Sequence, residues 1–149
     1  MKKSILFVCT GNTCRSPMAE IILKNKLKYA GLTNYKVSSA GLSTEDGRLM
    51  SRHSLTALKK LGYRSYAFKS KQATGAMLIK TDLIVCMTAD HKRFISNFPN
   101  VFTIGELTGL GDVTDPYGGT LEHYIKTSHQ LEDACNILLN KLLEGEIKL

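Results

Sequence analysis

Cys9-Thr10-Gly11-Asn12-Thr13-Cys14-Arg15-Ser16 follows the apolar run Ile5-Leu6-Phe7-Val8 directly and precedes Pro17 and a helical pattern. Five residues lie between Cys9 and Arg15. A loop of that length can curl so that its backbone N–H groups face one small anion in front of a helix N-terminus. Those N–H groups, the helix dipole and Arg15 all favour the thiolate form of Cys9, and a thiolate beneath a phosphoryl group is placed for in-line attack. Arg15 offers a planar fork that grips two phosphoryl oxygens, a task Lys does less well. Thr10 to Ser16 is therefore a candidate phosphate cradle. Within it, Asn12 can hold the turns by hydrogen bonds, and Ser16 can donate to the sulfur, cap the helix, or do both. An inert buried Cys at a strand end is the bland alternative, and it leaves the coincidence of nucleophile, cradle and cation unexplained.

Breaking a phosphomonoester or phosphoramidate also needs a proton for the leaving group, which a thiolate cannot supply. Asp115 precedes Pro116 in a Gly-rich loop that can reach the site. Read alone, Asp-Pro is an ordinary turn signal; beside the Cys9 loop it becomes the candidate acid. Asp112 is the alternative acid or a turn residue. Tyr117 can wall the pocket and stack on a substrate. Cys14 shares the loop with Cys9, so the two thiols can pair and protect the nucleophile from over-oxidation, or Cys14 can be a small packing residue.

Positioning these residues requires strands and helices in alternation. Pro17 suits the first position of a helix capped by Ser16, with Ala19, Ile22, Leu23, Leu27 and Ala30 on one apolar face and Gly31 at its end. Tyr35 to Ala40 reads as a strand, and Gly41 to Met50 as an irregular loop able to border the site. A helix from Ser51 carries Leu55, Leu58 and Leu61 to Gly62, and a short helix around Gln72 to Leu78 follows. Thr81 to Met87 is a continuous apolar run, hence a buried strand. A helix from Ala89 to Asn97, a strand at Val101 to Ile104, a long loop from Gly105 to Gly119, and a last helix from Thr120 complete the chain. On that last helix Leu121, Tyr124, Ile125, Leu131, Cys135, Leu138 and Leu142 form the apolar face. The expected fold is α/β: a doubly wound, four-stranded parallel sheet with helices on both faces in a single domain, ligands binding at the C-terminal ends of strands, where Cys9 lies.

With 43% hydrophobic and 22% charged residues, a chain of 149 residues fits one domain with a useful core. The net charge of +7 draws anionic partners, but no nucleic-acid-binding motif accompanies it. The basic start Met1-Lys2-Lys3 leads into too short an apolar run for a signal peptide or a membrane span. The expectation is therefore a cytoplasmic protein with no nucleic-acid or membrane partner. Cys9, Cys14, Cys86 and Cys135 show neither a disulfide framework nor metal-ligand spacing; no metal or cofactor is expected. Cys86 and Cys135 fall on apolar faces. His53, His91, His123 and His129 are expected at the surface or in structural roles.

The chain resembles the low-molecular-weight protein tyrosine phosphatases, whose signature is Cys, five residues, Arg, Ser near the N-terminus. Val8 through Glu20, then Ser39-Ala40-Gly41, then Asp115-Pro116-Tyr117-Gly118-Gly119 fall in that family's order and spacing. The resemblance covers residues 1–149 as one phosphatase domain. Thr10 and Thr13, with Gly111-Asp112-Val113, look most like the branch that includes bacterial protein-arginine phosphatases. It implies hydrolysis of phosphotyrosine or phosphoarginine on phosphorylated proteins through a cysteinyl-phosphate, without a cofactor. Cys9 would be the nucleophile, Arg15 the phosphate clamp and Asp115 the general acid, with Thr10, Gly11, Asn12, Thr13, Cys14, Arg15 and Ser16 holding the phosphate. Thr13 and Tyr117 would set specificity, and Cys9 and Cys14 would form the redox pair. Tyrosine-specific relatives often carry a second aromatic where this chain has Gly118, and many have a branched aliphatic residue at position 13. The resemblance also implies that Ser39 braces the loop through Asn12, while Tyr66 stands where many relatives place a supporting His. An arsenate reductase of the same fold would need two further relay cysteines. A phosphocysteine carrier or phosphate-reading module would have no use for Asp115.

Overall fold

In the computed structural model, which describes residues 1–149, four parallel strands pair in the order β2-β1-β3-β4. They are β1 (Lys3–Cys9), β2 (Tyr35–Gly41), β3 (Leu83–Cys86) and β4 (Val101–Thr103). The last five residues of β1 and all of β3 are buried, as a strand covered on both faces requires. Side chains alternate across the sheet. Ile5, Phe7, Val37, Leu83 and Val85 pack with helices α1 (Arg15–Tyr29), α2 (Arg52–Lys60) and α6 (Leu121–Leu143). Leu6, Val8, Ala40, Ile84 and Cys86 pack on the other face with Leu78 of α3 (Gly75–Lys80) and Ile95, which ends α4 (Ala89–Phe94). The sheet is thus doubly wound, as the alternation of elements implies.

The register sets the site. Cys9 lies opposite Gly41 and Val8 opposite Cys86, so the three crossovers leave β1, β2 and β3 at one edge. A Cβ on Gly41 would sit 2.7 Å from the Thr10 carbonyl oxygen and 3.1 Å from the Asn12 Cβ. Only a residue without a side chain lets β2 approach the Cys9 loop so closely.

Several element limits differ from the sequence reading. Helix α1 begins at Arg15 with Cys14 as N-cap, and no side chain caps it; the Ser16 hydroxyl is used elsewhere. All of Arg15 to Leu23 is buried, because this end of α1 is both floor of the loop and core, whereas Ala30 is exposed. Leu55 of α2 faces solvent, and Ser54 and Ala57 take the buried positions beside Leu58. The short helix starts later than expected, at Gly75, because Thr74 caps it. Helix α4 stops at Phe94, three residues early, and the strand read as Thr81 to Met87 pairs only over Leu83–Cys86. The segment read as loop from Gly105 opens with helix α5 (Ile104–Thr108), held by a reciprocal capping box between Thr103 and Glu106 and ended by left-handed Gly109.

Candidate active site

The loop between β1 and α1 wraps a cavity of about 230 Å³ lined by Cys9 through Arg15 together with Ser43, Arg48, Asp115 and Tyr117. Of the residues expected from the sequence in the cradle and acid loop, Cys9 through Arg15, Asp115 and Tyr117 border this cavity; Asp112 does not, and Ser16 lies fully buried beneath it. Cys9, Asn12, Cys14 and Arg15 are also buried, while Asp115 and Tyr117 stand exposed at the mouth. Polar side chains held this deep need partners, and the loop supplies them.

Asn12 organises the floor. Its backbone adopts φ 54°, a left-handed conformation that Asn tolerates. Its side-chain oxygen accepts the Lys71 N–H at 2.9 Å, which fixes the amide orientation. The amide nitrogen donates to Ser16 Oγ at 2.8 Å and to Ser39 Oγ at 2.9 Å. The Ser39 hydroxyl in turn donates to Glu20 Oε1 at 2.7 Å. Because Ser16 Oγ already accepts from Asn12, its one proton is free for Cys9 Sγ, 2.9 Å away. That hydroxyl holds the sulfur in place at the base of the cavity. The Ser39 brace expected from resemblance is therefore present.

Tyr66 does not break this chain of bonds. Its hydroxyl donates to Glu20; partial burial and that carboxylate hold the phenol well above the usual tyrosine range, so it remains a donor. Glu20 was legible only as part of the motif after the loop; a carboxylate four residues past Ser16, on a helix face that is otherwise apolar, is the signal that marks it.

Arg15 ties the loop to the acid segment. Its Nη1 donates to the Val113 carbonyl at 3.1 Å and its Nη2 lies 3.5 Å from Asp115 Oδ2. Asp115 Oδ1 accepts the Tyr117 N–H at 3.1 Å, an Asx turn that orients the carboxylate. Asp112 faces away: its Oδ1 accepts the Ala89 N–H at the start of α4. Of the two aspartates, Asp115 alone borders the cavity.

His91 was expected at the surface or in a structural role, and it is buried, with Nε2 2.9 Å from the Thr10 hydroxyl and Nδ1 without a partner. Burial first, then the Arg15 charge, push its pKa down to about 4 against the pull of Asp115 and Asp112. The neutral ring thus props Thr10. Its position inside a six-residue helix gave no sequence signal.

The Gly41–Met50 loop does border the site, and the segment 69–73 staples it there. Gly47 N–H bonds to the Ser70 carbonyl, Ser70 N–H to the Arg48 carbonyl, and Arg48 N–H to Ser70 Oγ. Thr44 N–H donates to Gln72, and Gln72 N–H to Asp46. The result presents exposed Arg48 at the cavity that Tyr117 also lines, a residue that no local pattern marked.

Cys14 Sγ contacts Ser51 Oγ at 3.5 Å and the Tyr124 hydroxyl at 3.6 Å. Cys86 and Cys135 lie fully buried in the two separate cores, and burial pushes both thiols up to about 12. Neither borders the cavity that holds Cys9. No helix is long and apolar enough to cross a membrane.

A family model described as low molecular weight phosphotyrosine protein phosphatase matches residues 4–148. The chain is 39% identical over 145 residues to a protein-arginine-phosphatase of Bacillus subtilis (strain 168), spanning 93% of this chain and 95% of that one. It is 38% identical over 135 residues to the low molecular weight protein-tyrosine-phosphatase PtpB of Staphylococcus aureus, spanning 85% and 90%. Among solved structures, a cysteine-to-serine mutant of the YwlE arginine phosphatase with a phosphorylated active-site serine is similar at a TM-score of 0.88 and 36% identity, over 95% of this chain and 96% of that one.

Proposed function

The chain belongs to the low molecular weight phosphotyrosine protein phosphatase family, and from that premise we propose which residues carry the reaction and which substrate they favour. The enzyme is a protein phosphatase acting on phosphotyrosine or phosphoarginine through a cysteinyl-phosphate. In our reading Cys9 attacks phosphorus while Arg15 and the N–H groups of Thr10 to Ser16 hold the oxygens, a hold that tightens as charge moves in the transition state. Asp115 gives its proton to the departing oxygen or nitrogen. It then takes one from the water that frees phosphate and returns Cys9. Ser16, held by Asn12, steadies the thiolate between turnovers. The whole of residues 1–149 serves as one such domain in the cytoplasm, and its substrates are phosphorylated proteins.

The observation that carries this reading is that nucleophile, clamp and acid border one small cavity, with the acid 3.5 Å from the clamp. An anion-binding or carrier module has no need of that acid.

Between the two substrates, phosphoarginine is favoured. Thr13 lines the cavity with a hydroxyl that can bond the polar N–H groups next to phosphorus, whereas a phosphotyrosine ring offers only carbon there. One aromatic, Tyr117, lines the cavity, and Gly118 beside it, at φ 78°, adds no second wall. A hydrogen bond to a charged group contributes about 1.5 to 3 kcal/mol, or tenfold to over a hundredfold in discrimination. The test is kcat/KM on phosphoarginine and phosphotyrosine for the native protein and Thr13→Ile at one pH, corrected for spontaneous loss of phosphoarginine. Thr13→Ile should lose phosphoarginine activity and keep or gain phosphotyrosine activity. A native preference for phosphotyrosine with an unchanged ratio in Thr13→Ile would return the enzyme to the tyrosine-specific branch.

A further inference from the structure

A concentration of positive charge lies away from the catalytic cavity. A groove of about 490 Å³ runs between the start of α1's exposed half and the edge strand β2, lined by Lys2, Lys24, Lys28, Lys36 and Lys71 with Glu20 as its one acidic residue. It holds four of the chain's seven net positive charges. The single carboxylate is already engaged, taking bonds from Ser39, Tyr66 and Lys24. Lys2, Lys28, Lys36 and Lys71 are exposed, and none lies within ion-pair distance of a carboxylate. Four unneutralised ammonium groups around one concavity repel one another and focus a positive field on whatever enters it.

We propose that this groove is a docking surface for an acidic, extended segment of the phosphoprotein substrate, which rests on the protein-phosphatase reading. Lysines suit that occupant: each is a mobile point charge that meets a carboxylate without fixed geometry. A nucleic acid would be met by stacking rings, and Tyr35 is the groove's one aromatic, half-buried and packed against the core. The groove also touches the catalytic loop from behind. Glu20 and the Lys71 backbone are two of the groups that hold Ser39 and Asn12, so a substrate seated there lies next to the bracing of the site it is delivered to.

The experiment pairs binding with kinetics. A fluorescein-labelled hexaglutamate peptide is titrated into the native protein and into Lys28→Glu/Lys36→Glu by anisotropy at low and at moderate salt. Native binding should weaken steeply with salt, and the double variant should bind about tenfold more weakly or worse. Two phosphopeptides then differ only in carrying, beyond a Gly/Ser spacer of about 12 residues reaching roughly 20 Å, either six glutamates or six glutamines. The native enzyme should prefer the glutamate peptide, the double variant should lose that preference, and both should hydrolyse a small aryl phosphate at equal kcat/KM. Equal hexaglutamate binding by the two proteins, or a glutamate preference that survives the double substitution, overturns the proposal; the latter would assign it to Arg48 at the rim. An oligonucleotide that binds more tightly than hexaglutamate and displaces it also overturns it. Turnover of aryl phosphate with neither peptide dephosphorylated would instead contradict the protein-phosphatase reading, and the anisotropy result would still decide the groove.

Discussion

Replacing Gly41 with Ala should damage catalysis far more than a single methyl group suggests. The added Cβ would lie 2.7 Å from the Thr10 carbonyl oxygen, 2.9 Å from Thr44 Cγ2 and 3.1 Å from the Asn12 Cβ. Thr44 can rotate aside, but the other two contacts belong to the loop that holds Cys9. Restoring ordinary separations requires the strand and the loop to part by several tenths of an ångström. Overpacking of this kind costs about 1 to 3 kcal/mol of stability. A loop displaced by a fraction of an ångström to 1 Å misaims thiolate, N–H groups and Arg15 together, and a misplacement of that size can cost about a hundredfold in rate. Denaturant unfolding and kcat/KM on an aryl phosphate, with inorganic phosphate as a competitive ligand, separate the two effects. The expected result is a folded protein with a modest loss of stability, weakened phosphate inhibition and roughly a hundredfold loss of kcat/KM. Native phosphate affinity and rate in Gly41→Ala would refute the close approach of β2 as the determinant of loop shape.

Two further outcomes follow from the same geometry. His91 is held near a pKa of about 4 by burial and the Arg15 charge, while the unfolded chain takes up that proton near 6.5, so the contribution of neutral His91 is complete above about pH 6.5 and drains away as pH falls toward 4. Urea unfolding should show native protein losing about 2 kcal/mol more than His91→Phe between pH 7 and pH 5; parallel pH profiles would contradict a neutral buried imidazole. Cys9 and Cys14 border one cavity, so peroxide should oxidise Cys9 to the sulfenic acid, which Cys14 then condenses with, releasing water. Mass spectrometry should find the Cys9–Cys14 disulfide, and Cys14→Ser should be harder to reactivate with thiols. Sulfinic Cys9 as the sole product in native protein would reject the protection.

What could be read from the sequence was local. The apolar run ending at Cys9, Pro17 two residues past Arg15, and the alternation of strand and helix patterns each report on backbone within a few residues, and they located the cradle and the sheet. Helix α5 carried a local signal too, since Thr103 and Glu106 have capping-box spacing, but the glycines at 105 and 109 masked it. The remaining site residues depend on distant partners. Glu20 matters because Ser39 and Tyr66 reach it, His91 because Thr10 does, and Arg48 because Ser70 pins its backbone. Burial made the other difference: Leu55 is apolar yet points outward, while the preceding residue, Ser54, is enclosed, a choice set by how α2 meets α6.

In the proposed mechanism Cys9 carries the phosphoryl group and Asp115 governs its arrival and release. Asp115→Asn removes the group that activates water, while an activated aryl phosphate needs no proton to depart. With that substrate the variant should form the intermediate and stall before hydrolysing it. The direct measurement is rapid-quench mass spectrometry of Asp115→Asn during turnover of an activated aryl phosphate. A phosphoryl group is expected on Cys9 in a large fraction of the enzyme; phosphate on another residue, or a variant that turns over at the native rate with no phosphoenzyme, would rule this mechanism out.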